Sequence, residues 1–214
     1  RVFNVPYALY GDSTYYLRIA NSKGLAKEDK RNSAYAYAVV LTEENEDKRT
    51  GMEFTVGRDF SKFSAKELAE QSVKKGIELL GGEVLETGKY AAVFNNEMMA
   101  SMMSTFSGIF NAKSVQEGKS LLKGKLGKMV ADEKVTITDD ALHPDGFATS
   151  SFDSEGYPSQ KTVLIDKGEL VSYIHNTQTA AKAGVKSTGN AARGIKGTLG
   201  IHTTNFCLEP GTAA

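Results

Sequence analysis

Apolar positions change their spacing several times along this chain. From Tyr15 to Ile19 and again from Ala34 to Leu41, β-branched, aromatic and small apolar residues crowd together, and Asn21-Ser22-Lys23-Gly24 between them suits a turn with positive φ. The pattern predicts a strand pair with a tight connection. After Ser64 the spacing lengthens to that of a helix. Leu68, Val73, Ile77 and Leu80 recur at near-helical intervals, Ser64 and Glu67 have the capping-box spacing, and Gly81-Gly82 closes the run. An amphipathic helix is predicted over Ala65 to Leu80.

Beyond Gly82 the character changes. Tyr90 to Phe94 reads as a short apolar strand, and Asn96 is placed to cap a helix whose Met99, Met102, Met103 and Phe106 share one face. Methionine is a flexible gap-filler, so this stripe is expected to pack in a core rather than to bind a ligand. Ser114 and Glu117 repeat the capping-box spacing, but Gly118, Gly124 and Gly127 interrupt the apolar positions Leu121, Leu122, Leu126 and Val130, which predicts a loop-rich stretch. The clearest hairpin runs from Gln160 to Ile165, turns through Asp166-Lys167-Gly168 and returns from Glu169 to His175. Asn176 then caps a short helix over Thr177 to Ala183 that Gly184 stops, and the last thirty residues read as loops between short strands. Periodicity alone indicates an α+β protein.

Composition narrows the function more than the fold. With 214 residues, 40% of them hydrophobic and 24% charged, the chain can bury one sizeable core or two small ones. Lys plus Arg number 26 and so do Asp plus Glu, so no net field draws the chain to nucleic acid or to anionic lipid. No apolar run approaches the roughly 20 residues of a membrane span, and the single cysteine, Cys207, has no internal disulfide partner, which favours the cytoplasm. The sequence starts at Arg1 rather than at a methionine and is read as a fragment of something longer.

Candidate chemistry is sparse. The three histidines, His143, His175 and His202, lack a short metal-binding spacing, although they could converge in space with Cys207. Asp139, Asp140, Asp145, Asp153 and Glu155 form an acidic cluster without EF-hand spacing, and turn formation explains them better than Mg²⁺ or Ca²⁺. Gly184 to Gly200 contains neither a P-loop nor a dinucleotide-binding fingerprint, and no Gly-x-Ser-x-Gly elbow occurs. Lys113 to Lys128 is locally basic but carries no interleaved aromatics, so it reads as a solvated face.

The loops carry a more specific signal. Ser151-Phe152-Asp153-Ser154-Glu155-Gly156-Tyr157-Pro158-Ser159-Gln160-Lys161-Thr162 precedes the hairpin, and Lys186-Ser187-Thr188-Gly189-Asn190-Ala191 comes after it. Upstream stand Thr87-Gly88-Lys89-Tyr90, Gly118-Lys119-Ser120-Leu121, Gly124-Lys125-Leu126-Gly127 and Thr136-Ile137-Thr138-Asp139-Asp140, and downstream Thr204-Asn205 and Glu209-Pro210-Gly211. In this order the motifs resemble the TldD/PmbA family closely over residues 87 to 211, and more loosely over Asn21 to Gly24 and the helix near residue 70.

The resemblance implies a partial N-terminal α/β domain over residues 1–85 and a β-rich, barrel-like domain with short helices over 86–214, both lacking outer portions of the family's chain. Zinc-bearing members carry His-Glu-x-x-x-His on a helix. The comparable stretch here, Asn95-Asn96-Glu97-Met98-Met99-Ala100-Ser101-Met102, contains no histidine, and Glu97 is expected to serve as a favourable charge in the first helical turn. The chain therefore resembles the PmbA (TldE) branch. The resemblance implies a noncatalytic subunit, with no cofactor of its own, that pairs with a zinc-bearing TldD-like protease to process unfolded or extended peptides; a homodimer is the other expected assembly. Neither nucleic acid nor a membrane is an expected direct partner, and the family's description as a modulator of DNA gyrase implies an indirect effect. Two other readings stand beside it: a self-associating peptide-binding protein without protease activity, and a metallohydrolase with an unfamiliar zinc site. Ser187, Thr188, Gly189, Asn190 and Arg193, with Lys196 nearby, are the nominated substrate-contacting residues, against the alternative of a shaped turn.

Overall fold

The computed structural model describes residues 1–194 and 196–211 of an α+β chain. Two compact units divide it: residues 1–15 with 30–92, and residues 16–29 with 93 onward. Among the described residues, no helix is long and apolar enough to cross a membrane.

An antiparallel sheet runs in the order β1 (Val2–Ala20), β2 (Ala26–Glu44), β3 (Asp47–Gly57), and its part outside residues 16–29 is the base of the first unit. The predicted strand pair is present but far longer than its apolar segments, and Asn21 closes it by accepting the backbone N–H groups of Lys23 and Leu25. The third strand was not legible. Its Lys48, Arg49 and Glu53 look solvated, and its turn is Asn45-Glu46, two non-glycine residues with φ of 49° and 68°. Both values suit the primed two-residue turns that match strand twist.

Helix α1 (Ala65–Glu78) starts where the capping residue predicts, with Ser64 Oγ accepting the Glu67 N–H at 3.2 Å. Its closest approach to the sheet is made by small residues rather than by the predicted apolar stripe. Ser72 and Gly76 lie against β3, and a β-carbon at Gly51 would run into the Ser72 carbonyl and the Gly76 backbone. Thr42 Oγ1 donates to the Gly76 carbonyl at 2.9 Å, so helix and sheet are also joined by hydrogen bonds. Val73 and Ile77 remain half-buried.

Two expectations fail in the segment after α1. Tyr90 to Phe94 forms no strand, and the next helix, α2 (Asn96–Phe106), is capped by Asn95 rather than by Asn96, through the Met98 N–H at 2.8 Å. The methionine stripe is also not a core element. No residue of α2 is buried; Met98 is 52% and Phe106 59% exposed, and Met99 and Met103 are only half-covered. Amphipathicity reports that a helix face favours cover, not which surface supplies it.

The second unit holds α3 (Ala112–Gln116), β4 (Ile137–Asp140), β5 (Lys161–Asp166), β6 (Glu169–Leu170), α4 (Thr177–Ala183), β7 (Ala191–Ala192), β8 (Gly200–Ile201) and β9 (Phe206–Leu208). Its sheet runs β6-β5-β4-β9, all antiparallel, and β7 pairs with β8 in a separate ladder. Phe110, Leu122, Leu164, Ile165, Leu170, Ile174 and Ile201 form its core. The hairpin turn falls at Lys167-Gly168, both with positive φ, but the returning strand stops at Leu170. The chain then leaves β5 so that Ile174 can bridge to Asn111, which is why the expected strand to His175 is cut short. The barrel implied by the resemblance does not close among the described residues: strands of two to six residues form a four-stranded sheet and the two-stranded ladder.

Candidate functional site

The polar loop after α4 is anchored from below by a buried hydrogen-bond network. Helix α4 positions it. Asn176 Oδ1 accepts the Thr179 N–H at 2.9 Å and Gly184 ends the helix in the left-handed conformation, the cap and the stop that the sequence predicts, and the Thr179 hydroxyl adds a capping box by accepting the Asn176 N–H. The chain then turns back past His175. The His175 N–H donates to the Thr188 hydroxyl at 2.6 Å, which donates to Asn190 Oδ1 at 2.6 Å. Asn190 Nδ2 donates in turn to Asp139 Oδ2 at 2.6 Å and to the His202 carbonyl at 3.0 Å, while Asp139 Oδ1 accepts the Thr204 N–H at 2.6 Å. Ser187 Oγ donates to the His175 carbonyl at 3.2 Å.

One residue further on, the backbone N–H of Ala191 donates to Asp153 Oδ2 at 3.0 Å. Asp153 Oδ1 accepts the N–H groups of Glu155 and Tyr157, both at 2.9 Å, so a single carboxylate shapes its own turn and holds the neighbouring loop. Glu155 completes the link by accepting the Thr177 N–H at 2.8 Å and the Thr177 hydroxyl at 2.6 Å. Two aspartates thus brace the segment 187–191, as expected for carboxylates that satisfy buried backbone donors.

Burial sets the electrostatics. Asp139 is 1% exposed, and loss of solvent pushes its carboxyl above the usual range, opposed by the donors on Asn190 and Thr204. Asp153 is raised for the same reason, against its three backbone donors. The His175 imidazole is pushed down by burial, with its contact to Thr179 acting the other way, so it is neutral at physiological pH. Burial, followed by the charges of Glu209, Asp140 and Asp139, pushes the Cys207 thiol up, which disfavours the thiolate that nucleophilic attack or metal binding requires.

Of the nominated residues, Ser187, Thr188, Gly189 and Asn190 are buried together, and Arg193 is exposed with its N–H bonded to Ser154 Oγ at 3.1 Å. Gly189 has a φ of 75°, and a β-carbon there would meet the Pro158 carbonyl, so only glycine fits. Thr188 and His175 also border a cavity of about 270 Å³ whose other walls include Val115, Leu126, Val171, Tyr173 and Val185. Sequence reasoning missed Asp139 and Asp153 as the anchors of this loop; the acidic cluster held the signal, but no spacing rule pairs Asp139 with a residue 51 positions away.

Comparison with known proteins now adds identity. The family description for the PmbA/TldA metallopeptidase C-terminal domain matches residues 87–214, and that for the PmbA/TldA metallopeptidase central domain matches residues 1–80. The chain belongs to the PmbA/TldD family. A metalloprotease of Methanothermobacter thermautotrophicus is 34% identical over 68% of this chain and 32% of its own length. Among solved structures, a protein of Thermotoga maritima described as a modulator of a DNA gyrase superposes with a TM-score of 0.92 at 31% identity, covering 99% of this chain and 48% of that one. TldE from Thermococcus kodakarensis gives 0.82 at 25% identity over 95% of this chain and 46% of that one. The chain spans under half the length of each.

A metallopeptidase description calls for a metal, and the residues here do not fit one. On α2 the side chains after Asn95 are amide, carboxylate, thioether and hydroxyl, without an imidazole. Among the described residues, no group of three or more His, Cys, Asp or Glu side chains could hold an ion. His143, His175, His202 and Cys207 are not brought together into a ligand set. Cys207 donates instead to the Asn205 carbonyl at 3.4 Å.

Proposed function

We propose that this chain supplies the PmbA/TldE side of a cytoplasmic TldD/TldE-type protease, pairing with a zinc-bearing TldD-like subunit and taking no catalytic step itself. The carrying observation is α2: the helix that resembles the His-Glu-x-x-x-His helix of zinc-bearing relatives has Asn96-Glu97-Met98-Met99-Ala100-Ser101. Neither a thioether nor an amide replaces an imidazole as a zinc ligand, and a glutamate without a metal-bound water has no proton to take. Its work is architectural. An extended peptide would be held through backbone hydrogen bonds to a strand edge, with a side chain in the cavity beside Thr188 and Lys186, and the exposed Arg193 is the nominated residue left free to reach its carboxylates. In this reading Ser187, Gly189, Asn190 and Asp139 position Thr188 and the loop rather than touch the peptide. The domain division we favour lies between the two matched regions, near residues 81–86.

The test is metal content and peptidase activity of the full-length protein, alone and mixed with a TldD-like protein. Zinc and peptide cleavage that emerge only in the mixture support the proposal. Stoichiometric zinc and cleavage by this protein alone refute it, as does the absence of any complex or change in activity on mixing.

A further inference from the structure

The cavity beside Thr188 combines apolar walls with one unspent lone pair. Val115, Leu126, Val171 and Val185 supply the walls, and the volume of about 270 Å³ falls short of the roughly 300–1,000 Å³ of a small-molecule site. It has room for one large side chain. Polar side chains on its border are already engaged: Gln116 Nε2 donates to the Thr179 carbonyl at 2.8 Å, Tyr173 Oη to the Leu122 carbonyl at 2.7 Å and Ser172 Oγ to the Tyr173 carbonyl at 3.0 Å. The Thr188 hydroxyl belongs to the network that reaches Asp139.

His175 differs from these. Its Nδ1 lies 3.3 Å from the Thr179 hydroxyl, whose own proton goes to Asn176 Oδ1 at 2.9 Å, so Nδ1 carries the imidazole hydrogen and Nε2 keeps a lone pair. Among the described residues nothing donates to Nε2, yet it is not one of the sealed, unbonded polar atoms, which are His143 Nδ1, Thr162 Oγ1 and Thr204 Oγ1. With His175 only 5% exposed, Nε2 opens into the cavity that the residue lines. The ring is also fixed in advance. The His175 N–H donates to the Thr188 hydroxyl and its carbonyl accepts from Ser187 Oγ, so the loop that was nominated for substrate contact holds the acceptor in place instead, and little ordering remains to oppose binding.

The approach to the cavity carries positive charge. Lys186 borders it, and Lys113 and Lys182 border the hollow that adjoins it at Gln116 and Ala183, where Glu117 is matched by Lys119 at 2.6 Å. A cationic side chain could donate to Nε2 but would enter against these ammonium groups, and short hydroxyl or amide side chains leave the walls unfilled. Leucine, methionine or phenylalanine fills the walls but buries the lone pair without a donor, at the full cost of its lost solvation. Tyrosine and tryptophan join a large apolar body to a neutral donor. We propose that the cavity is a specificity pocket for a tyrosine or tryptophan side chain of the extended peptide, in which His175 Nε2 accepts the hydrogen of the hydroxyl or indole N–H. The inference rests on the reading above that a peptide side chain occupies this cavity, and adds which side chain it is.

The test uses the full-length protein, alone and with a TldD-like protein stripped of zinc so that nothing is cleaved. Short unstructured peptides identical except for one central Tyr, Trp, Phe or Leu are titrated by fluorescence anisotropy. The Tyr peptide is expected to bind roughly tenfold or more tighter than its Phe twin, the effect of a buried acceptor left without a donor. His175→Phe, which keeps a ring and removes the acceptor, should erase that difference, and Val185→Arg, at a wall position 53% exposed, should weaken the Tyr peptide by roughly tenfold or more. Equal binding of the Tyr and Phe peptides by the wild type overturns this inference and leaves the peptide-binding reading standing. Binding of none of the peptides, with or without the TldD-like protein, overturns both, and a separate stretch of the same polypeptide lodged in the cavity would give that result. A preference for Tyr that persists in His175→Phe with wild-type circular dichroism overturns the role of Nε2; the wild-type comparison stands even where that variant does not fold.

Discussion

Replacing Asn190 by aspartate changes the volume very little and one donor completely. In the native network Asn190 Nδ2 donates to Asp139 Oδ2 at 2.6 Å, and Asp139 is buried. The Asn190→Asp change puts an oxygen where that donor stood, so two buried carboxylates face each other about 3 Å apart. If both ionise, an effective dielectric of about 20 gives roughly 5 kcal/mol of repulsion. The folded state therefore keeps one proton between them while the unfolded chain gives up both, at a cost of about 1.4 kcal/mol for each pH unit above the unfolded carboxyl pKa until the shared proton is released. Proton counting gives the sign. Burial already raises Asp139, so the folded wild type binds a proton more tightly than the unfolded chain and loses stability as pH rises through that window. The variant's shared proton is held more tightly still, so its stability falls more steeply and over a higher pH range. Asn190→Ala separates repulsion from lost bonds: it should cost about 2–4 kcal/mol, with only the mild slope of a carboxyl that has lost one donor. Thermal unfolding followed by circular dichroism from about pH 5 to about pH 8 reads the difference. At about pH 8 the Asn190→Asp midpoint should lie roughly 10 °C below wild type, at 2–4 °C per kcal/mol for a chain of this size. Parallel pH profiles for the two variants would refute the buried Asn190–Asp139 pairing.

Other substitutions probe other parts of the fold. Gly51→Ala should cost roughly 2–4 kcal/mol in urea unfolding, because the added methyl forces α1 away from β3 at Ser72 and Gly76; a neutral result would mean that the helix does not sit this close. Met98→Gln and Met102→Gln should each change stability by less than about 0.5 kcal/mol, whereas Leu164→Ala, at a fully buried position, should cost roughly 3–5 kcal/mol. A methionine variant that lost as much as the Leu164 one would show α2 to be covered. Glu155→Gln should destabilise by about 1 kcal/mol through its weakened hold on Thr177, and a double-mutant cycle with Thr177→Ala should show the two effects to be non-additive.

The sequence by itself determined features that depend on neighbours a few positions apart. Capping side chains reach only the next turn, so Ser64 and Asn176 located the starts of α1 and α4 almost to the residue, and Gly184 located the end of α4. The Lys167-Gly168 turn was legible because its backbone angles are a local demand, and the family was legible because its loop motifs stand in order along the chain. Only the tertiary structure decided matters that join distant segments. Asp139 and Asn190 stand 51 residues apart, and neither carries a mark of the other. The methionines of α2 have the spacing of a core helix, yet burial is a property of the surface opposite, which no periodicity describes. Strand β3 was hidden because its buried side is made by Gly51 and the stems of polar residues, so close approach by a helix stands in for an apolar pattern. The Ala34 to Leu41 run was legible as a strand, but which of its faces α1 covers is settled by packing geometry, to which residue spacing along one strand is blind.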